Sequence, residues 1–349
     1  MSRTTRFWSL NQARKVSRRI CASPLSVVVV ALAVFLLAGC GEKETVYEIE
    51  ELVFARVYRE CEEEEGQLIV VGYDVVGFTG PSRQVVIPAL RNGYPVIRIR
   101  DRVFENRGLT GVTIPSGVVS IGYRAFGNNQ LTDLAIPGSV GTIGRSAFER
   151  NQIASLTIGH GVVSVGYMAF SHNRLTSVAI PSSVTRVERT AFANNRLTGV
   201  TIPDSVVHIG YRAFSNNQLS GVTIPESVTY IGERAFENNH LTTLTIPNSV
   251  AVIGRSAFER NQISTLVIGN GVTSLGYRAF AQNQLTNVVI PGSVRAVGRW
   301  AFAWNPTLET IRIPFATRTM ADFAWRTGWG LGVGTTVVIL NNAGAPVTN

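Results

Sequence analysis

The sequence predicts a right-handed solenoid of 22-residue coils that is mostly β-structure. Phenylalanine and isoleucine each recur at intervals of 22 residues, and the segment GRSAFERNQI occurs at both 144–153 and 254–263, five repeats apart. A fixed period of this length is typical of stacked repeat units, each of which buries its apolar residues against its neighbours. The phenylalanine column comprises Phe104, Phe126, Phe148, Phe170, Phe192, Phe214, Phe236, Phe258, Phe280 and Phe302.

The unit 131–152, LTDLAIPGSVGTIGRSAFERNQ, shows how one coil is built. Leu134 and Ile136 alternate with polar or small residues, as in a half-buried strand. Pro137 ends that strand because proline has no amide hydrogen to donate to a ladder. The motif L-x-x-L-x-I is the strand motif of leucine-rich repeats. The sequence therefore predicts a leucine-rich-repeat solenoid with a parallel β-sheet on this face, and short strands or 3₁₀ turns on the other.

An asparagine stands three residues after nearly every phenylalanine of the column. A side-chain amide both donates and accepts hydrogen bonds, so it can satisfy backbone groups at a turn in its own coil and in the next. Nine consecutive occurrences predict a structural ladder. Its members are Asn129, Asn151, Asn173, Asn195, Asn217, Asn239, Asn261, Asn283 and Asn305.

The N-terminal segment has the features of an export signal. Six basic residues and no acidic ones fall within 1–39, followed by the apolar run PLSVVVVALAVFLLAG, which is short for a membrane span. The run ends in LAGC at Cys40, which resembles the lipobox of bacterial lipoproteins; that resemblance implies an acylated Cys40 as the new N-terminus. A signal anchor with a buried Cys40 is the alternative.

Charge and cysteine content exclude several function classes. The net charge is +9, but without residues 1–39 the chain has 26 basic and 23 acidic residues, or +3, so nothing supports nucleic-acid binding. Cys21 leaves with the signal and Cys40 carries lipid, so Cys61 has no disulfide partner and no cysteine metal site is predicted. The acidic run ECEEEEG at 60–66 is interpreted as a solvated segment.

The repeats contain no pattern of catalytic residues. The four histidines are not paired at ligand spacing, and no nucleophile motif, phosphate-binding loop or carboxylate pair stands apart from the repeat. We therefore expect no enzymatic activity, no cofactor and no metal.

Tyrosine and arginine are concentrated just before the phenylalanine column, where stacked coils align them into a Tyr–Arg stripe. These residue types are enriched at protein-recognition hot spots, and arginine pairs well with carboxylates and sulfates. The alternative is that they only stack on each other across coils. The predicted stripe is Tyr123, Arg124, Arg145, Tyr167, Arg189, Tyr211, Arg212, Arg234, Arg255, Tyr277, Arg278, Arg299 and Trp300.

Threonines on the outward side of the L-x-x-L-x-I strands form a second candidate surface. We expect a flat threonine face, explained by strand propensity or by binding of a repetitive glycan or ice. Its members are Thr110, Thr113, Thr132, Thr157, Thr176, Thr198, Thr201, Thr223, Thr242, Thr245 and Thr286.

The consensus unit LTxVTIPxSVxxIGxRAFxxNQ resembles the BspA-type leucine-rich repeat of bacterial surface proteins and lipoproteins, over about residues 68–315. Segment 70–99 is similar to the lead-in of such arrays. The predicted organisation is a lipoprotein signal peptide at 1–39, a tether with the acidic segment at 40–67, an N-terminal cap and lead-in repeat at 68–103, the array at 104–315 and a C-terminal cap at 316–349. That last cap is expected to contain a short helix and a closing strand, TTVVIL.

The resemblance implies protein recognition, with adhesion to host proteins, matrix proteins or other cells. The predicted protein is a monomeric solenoid, exported and lipid-anchored in the cell envelope at the outer membrane or cell surface, with surface proteins or glycans as partners. Two alternatives remain open at this point. One is a structural surface coat without a specific ligand, and the other is a glycan-binding module.

Overall fold

The computed structural model describes residues 51–60, 68–314, 328, 331–332, 334–340 and 346. The chain winds into a solenoid of stacked β coils, as predicted. Within the described residues, no helix is long and apolar enough to cross a membrane. The strands are β1 (Leu52–Glu60), β2 (Leu68–Phe78), β3 (Gln84–Val86), β4 (Leu90–Arg91), β5 (Tyr94–Ile99), β6 (Gly111–Thr113), β7 (Ser120–Ile121), β8 (Asp133–Ile136), β9 (Thr142–Ile143), β10 (Ser155–Ile158), β11 (Ser164–Val165), β12 (Ser177–Ala179), β13 (Arg186–Val187), β14 (Gly199–Thr201), β15 (His208–Ile209), β16 (Tyr230–Ile231), β17 (Thr243–Ile246), β18 (Val252–Ile253), β19 (Thr265–Ile268), β20 (Ser274–Leu275), β21 (Asn287–Val289), β22 (Ala296–Val297), β23 (Thr310–Pro314) and β24 (Thr336–Leu340).

The longest sheet lies on the side of the two-residue strands. Its order is β1-β2-β5-β7-β9-β11-β13-β15-β16-β18-β20-β22, with β4 joined to β5, and its repeat strands pair in parallel one coil apart, as Ser164 with Thr142. The L-x-x-L-x-I strands pair only in twos or threes: β3-β6, β8-β10, β12-β14, β17-β19 and β21-β23-β24. The short strands on the second face were expected, but the continuity of their sheet was not.

Proline explains part of this difference. Gly159 donates its amide hydrogen to the carbonyl of Ile136 at 2.9 Å and extends the β8–β10 ladder. Pro181 holds the equivalent place in the next coil and cannot donate, so the ladder loses a bond there. The residues between β14 and β17, Gly221–Ile224, join neither strand. The expectation of one flat threonine sheet is therefore wrong, although the threonines themselves face outward.

The phenylalanine column forms the centre of the core. All ten rings are at most 1% exposed, and nine successive pairs stack with centroids 4.9–5.8 Å apart and planes within 16° of parallel. These distances measure the height of one coil. Valine, isoleucine and alanine from each coil complete the buried cluster.

Two residues in each coil adopt left-handed backbone angles, with φ between about 48° and 60°. One precedes the Ala–Phe pair, as Arg212 does, and the other precedes the ladder asparagine, as Asn216 does. Left-handed residues close tight turns at a steric cost for any residue with a β-carbon. These two turns set the direction of the neighbouring stripe and ladder side chains in every coil.

The N-terminal cap begins earlier than the sequence predicts. Segment 52–60, expected to be part of the tether, is strand β1, which pairs antiparallel with β2. Phe54 packs edge-on to Tyr73 with ring centroids 6.4 Å apart, so this strand is anchored by aromatic contact as well as by its ladder. The predicted signal peptide, Cys40, Cys61 and most of the acidic run lie outside the described residues.

The C-terminal end is described only in part. Strand β24 pairs in parallel with β23 from Thr310–Thr336 to Pro314–Leu340, as expected of a closing strand. The short helix expected after residue 315 falls outside the described residues, apart from the isolated positions 328, 331–332 and 334.

Candidate functional site

The stripe consists of two adjacent columns, defined by their place in the coil. Residues of the first column stand two positions before the alanine of each Ala–Phe pair, after a glycine or, for Arg189, after Glu188. Residues of the second column stand directly before that alanine and have left-handed backbone angles. The first column reads Tyr123, Arg145, Tyr167, Arg189, Tyr211, Glu233, Arg255, Tyr277 and Arg299. The second reads Arg124, Ser146, Met168, Thr190, Arg212, Arg234, Ser256, Arg278 and Trp300.

Arginine and tyrosine of the first column stack across coils. The Arg145 guanidinium carbon lies 4.9 Å from the ring centroid of Tyr167 and 5.8 Å from that of Tyr123. Arg189 repeats this arrangement with Tyr211 at 4.9 Å and Tyr167 at 5.8 Å. Such cation–π contacts are each worth about 0.5–1 kcal/mol at exposed sites. The structure therefore brings the predicted stripe residues together, in the stacked arrangement considered as the alternative.

The arginines of the second column form ion pairs with glutamates that directly follow some phenylalanines of the core column. Arg124 lies 3.0 Å from Glu105, and Arg278 lies 3.6 Å from the buried Glu259. Glu237 contacts two arginines, Arg234 at 3.7 Å and Arg212 at 4.0 Å.

Burial is the main influence on the pKa of the Glu237 carboxyl. It raises the pKa of the Glu237 carboxyl, although the charges of Arg234 and Arg212 act in the opposite direction. The Nε atoms of Arg212, Arg234 and Arg278 are buried without a hydrogen-bond partner among the described residues. These arginines already have ionic partners, and the glutamates that hold them were not among the predicted site residues.

Four arginines of the first column have no such partner. Arg145, Arg189, Arg255 and Arg299 are exposed, and within the described part of the chain they make no ion pair and no side-chain hydrogen bond. Arg255 lies 4.8 Å from the Tyr277 ring and Arg299 lies 4.7 Å from the Trp300 ring, so all four are positioned by aromatic rings. Their N–H donors remain available to a ligand.

The asparagine ladder has a regular geometry in all nine coils. Each side-chain nitrogen donates to the phenylalanine carbonyl of its own coil at 2.9–3.1 Å and to that of the preceding coil at 2.7–3.0 Å. Each side-chain oxygen accepts at 3.0–3.2 Å from the amide 20 residues earlier. The partner coil is thus the preceding one, whereas the sequence suggested the following one.

Two histidines in the described ranges contact neighbouring side chains. His172 Nδ1 lies 2.6 Å from the hydroxyl of Ser171, which is fully buried. His208 packs on Tyr230 with ring centroids 5.8 Å apart. No group of three or more His, Cys, Asp or Glu side chains there is close enough to hold a metal ion.

The surface formed by the described residues includes two hollows. One, of about 600 Å³, opens on the threonine side beside Gly199 and Gly221, where the sheet is broken. The other, of about 630 Å³, lies at the C-terminal end of the stripe against Trp300 and the half-exposed Trp304.

The repeats of this chain match the model of a known protein family. The model of the BspA type leucine-rich repeat region matches residues 97–220 and 187–309, with six copies of the repeat. No curated protein matches the chain.

Solved structures of leucine-rich repeat proteins are similar to the chain. A leucine-rich cell surface protein from Faecalibacterium prausnitzii is 23% identical over 88% of this chain and 99% of its own, with a TM-score of 0.47. A leucine-rich repeat protein from Bacteroides ovatus is 17% identical over 85% and 100%, with a TM-score of 0.46. The pneumococcal vaccine antigen PcpA is 18% identical over 71% and 68%, with a TM-score of 0.49.

Proposed function

Because the chain belongs to the BspA type leucine-rich repeat family, we propose that it is a lipid-anchored protein of the cell envelope that recognises other proteins and mediates adhesion. Its partners would be host proteins, matrix proteins or proteins of other cells. The recognition surface would be the Tyr–Arg stripe. The four exposed arginines without ionic partners are the observation that supports this choice.

Charge and rigidity both suit these arginines for recognition. Each is stacked on an aromatic ring, so less rotamer entropy is lost when it binds a ligand. Arginine forms bidentate hydrogen bonds with carboxylates, which are about twice as strong as bonds between neutral groups. A carboxylate of a partner protein would supply what no described residue supplies to Arg145, Arg189, Arg255 or Arg299.

Replacing these four arginines by glutamine should abolish binding while leaving the fold intact. We expect the full chain, in a non-ionic detergent, to bind saturably to at least one immobilised matrix or plasma protein in surface plasmon resonance. The quadruple variant should bind at least tenfold more weakly, since a hydrogen bond to a charged group contributes about 1.5–3 kcal/mol. Binding should also weaken as salt is added, because exposed charges are screened.

The matched control carries Arg174→Gln, Arg186→Gln, Arg196→Gln and Arg295→Gln, which removes four exposed arginines that are not members of the stripe. Full binding by the quadruple variant would refute the stripe as the recognition surface. Absence of binding to every protein tested would favour the structural surface coat instead. The stacking of Arg145 and Arg189 between tyrosine rings is compatible with that second function, because it requires no ligand.

The lipid anchor is tested at Cys40. The basic segment, the apolar run and the LAGC sequence occur in the order of a lipoprotein signal. In a bacterial host supplied with labelled palmitate, the wild-type chain should carry the label into the membrane fraction, and Cys40→Ser should not. Two or more acyl chains give stable anchoring. Cys61→Ser is the control and should label normally; a labelled Cys40→Ser chain would rule out acylation at this position.

A further inference from the structure

We infer that the stripe contains two equivalent carboxylate-binding units, which engage two separate acidic segments of one protein partner. Unit A is Arg145, Tyr167 and Arg189, and unit B is Arg255, Tyr277 and Arg299. This inference rests on the proposed recognition by the stripe and adds the chemistry and the spacing of the partner.

The two units correspond in sequence but differ in part of their stacking. Arg189 lies 5.8 Å from the Tyr167 ring, whereas in unit B Arg299 stacks on Trp300 and Arg278 lies 5.2 Å from the Tyr277 ring. Each residue of unit B stands 110 positions after its counterpart in unit A, the same offset that separates the two GRSAFERNQI segments. In both units two arginines lie two coils apart with a tyrosine between them. The phenylalanine rings of those coils are 5.5 and 5.6 Å apart in unit A, and 5.5 and 5.8 Å apart in unit B. The two units therefore present their arginines at nearly the same separation.

The surroundings of the units select for anions. The Tyr167 ring has Arg145 and Arg189 near it at 4.9 and 5.8 Å, so a ligand meets guanidinium edges and the tyrosine hydroxyl in preference to an open ring face. These groups are hydrogen-bond donors, and the planar guanidinium matches the geometry of a carboxylate. In contrast, Arg212, Arg234 and Arg278 already have carboxylates beside them.

The coils between the units differ in net charge from the coils that carry them. Residues 144–198 contain six basic and two acidic residues, a net charge of +4, and residues 254–308 contain five and one, again +4. Residues 199–253 contain two basic and four acidic residues, a net charge of −2. Glu233 lies in the first column of the stripe, where the residue 110 positions earlier is Tyr123.

This alternation decides between two kinds of ligand. A uniformly charged polysaccharide lying along the stripe would find no excess of positive charge between the units, because Arg212 and Arg234 are balanced there by Glu237 and Glu233. A protein can place acidic side chains opposite each unit and neutral or basic ones opposite the centre. The charge pattern therefore favours a protein with two acidic segments over a sulfated glycan.

The spacing of the units sets the reach of the partner. Corresponding residues are five coils apart, and the rings of those coils are separated by 5.3–5.8 Å each, which places the units about 27 Å apart. A flexible Gly/Ser linker has an end-to-end distance of about 5–6 Å times the square root of its length, so roughly 25 residues match this span. Once one acidic segment has bound to its unit, binding of the second segment to the other unit is intramolecular.

The experiment uses two synthetic peptides and the full chain in non-ionic detergent. One peptide has a single run of six glutamates; the other has two such runs joined by a 25-residue Gly/Ser linker. We expect the two-run peptide to bind at least tenfold more tightly by fluorescence anisotropy. Arg145→Gln with Arg189→Gln, or Arg255→Gln with Arg299→Gln, should each reduce it to the affinity of the single run. The control, Arg186→Gln with Arg295→Gln, removes the same charge and should retain the tight binding.

When the two-run peptide binds, any of three results would overturn the inference. The first is equal affinity for the two peptides. The second is an unchanged affinity for the two-run peptide in either unit variant. The third is that heparin binds more tightly than the two-run peptide and that Glu233→Gln raises the affinity for heparin further. If neither peptide binds while stripe-dependent binding to a matrix or plasma protein persists, this inference fails and the proposed function stands. If stripe-dependent protein binding is also absent, both fail.

Discussion

Replacement of Asn217 by alanine is expected to lower the free energy of unfolding by about 3 kcal/mol. The Asn217 amide donates to the carbonyls of Phe214 and Phe192, both at 3.0 Å, and accepts from the Leu197 amide at 3.1 Å. All of these groups are buried. Alanine leaves them without partners, and a buried unsatisfied polar group costs about 1–3 kcal/mol.

The measurement is equilibrium unfolding by urea, followed by circular dichroism. Gln218→Ala is the matched control, because the Gln218 side chain is exposed and follows directly in the sequence. It should change stability by less than about 0.5 kcal/mol. Equal effects of the two substitutions would mean that the ladder does not hold the coils together.

Alanine at Gly254 should destabilise the solenoid by about 1–3 kcal/mol through overpacking. A β-carbon there would lie 2.6 Å from the Glu233 backbone nitrogen and 2.7 Å from the Gly232 carbonyl carbon, both in the preceding coil. Backbone atoms cannot turn away as a side chain can. The coil must therefore move, and the stack between Phe236 and Phe258, now 5.3 Å, must open.

The control for this prediction is Gly221→Ala. A β-carbon at Gly221 meets nothing within 4 Å, so alanine should be neutral or stabilise by a few tenths of a kcal/mol by restricting the unfolded chain. Both variants would be compared by urea unfolding. Equal stability of the two variants would contradict the close approach between coils.

The chain contains a natural version of this substitution. Glu188 occupies the position that is glycine in the neighbouring coils, as at Gly166 and Gly210. The ring distances on either side of that coil, 5.6 Å from Phe170 to Phe192 and 5.8 Å from Phe192 to Phe214, are at the wide end of the range. The Phe280–Phe302 pair is equally wide at 5.8 Å although both of its coils have glycine in this column, so a side chain there does not by itself set the separation of the coils.

The repeat period predicted much of the fold because it is a local and regular signal. It placed the phenylalanines in one column, the asparagines in another and the tyrosines and arginines in a stripe. It did not predict the continuous sheet on the two-residue strands, since that depends on how coils pair and on prolines such as Pro181. The caps have no period, so strand β1 was taken for part of a tether.

The candidate site was predictable as a set of residues but not as two classes of arginine. The sequence shows Arg145 and Arg212 in the same stripe. Whether an arginine is paired depends on a glutamate in a neighbouring coil, as Glu259 pairs with Arg278 from 19 residues away. That relation requires the height and the turn of the coil, and only the structure supplies them.

The most direct test of this account compares the two classes of arginine in one assay. One variant carries glutamine at Arg145, Arg189, Arg255 and Arg299; the other carries Arg212→Gln and Arg278→Gln. Binding to the responsive matrix or plasma protein and the melting temperature would be measured for both. We predict that the first variant loses binding and stays folded, with its melting temperature lowered only by the loss of exposed cation–π contacts. The second should be destabilised because Glu259 loses Arg278 and Glu237 loses one of its two arginines. Normal binding by the first variant, with loss of binding by a stably folded second variant, would contradict the assignment of recognition to the unpaired arginines.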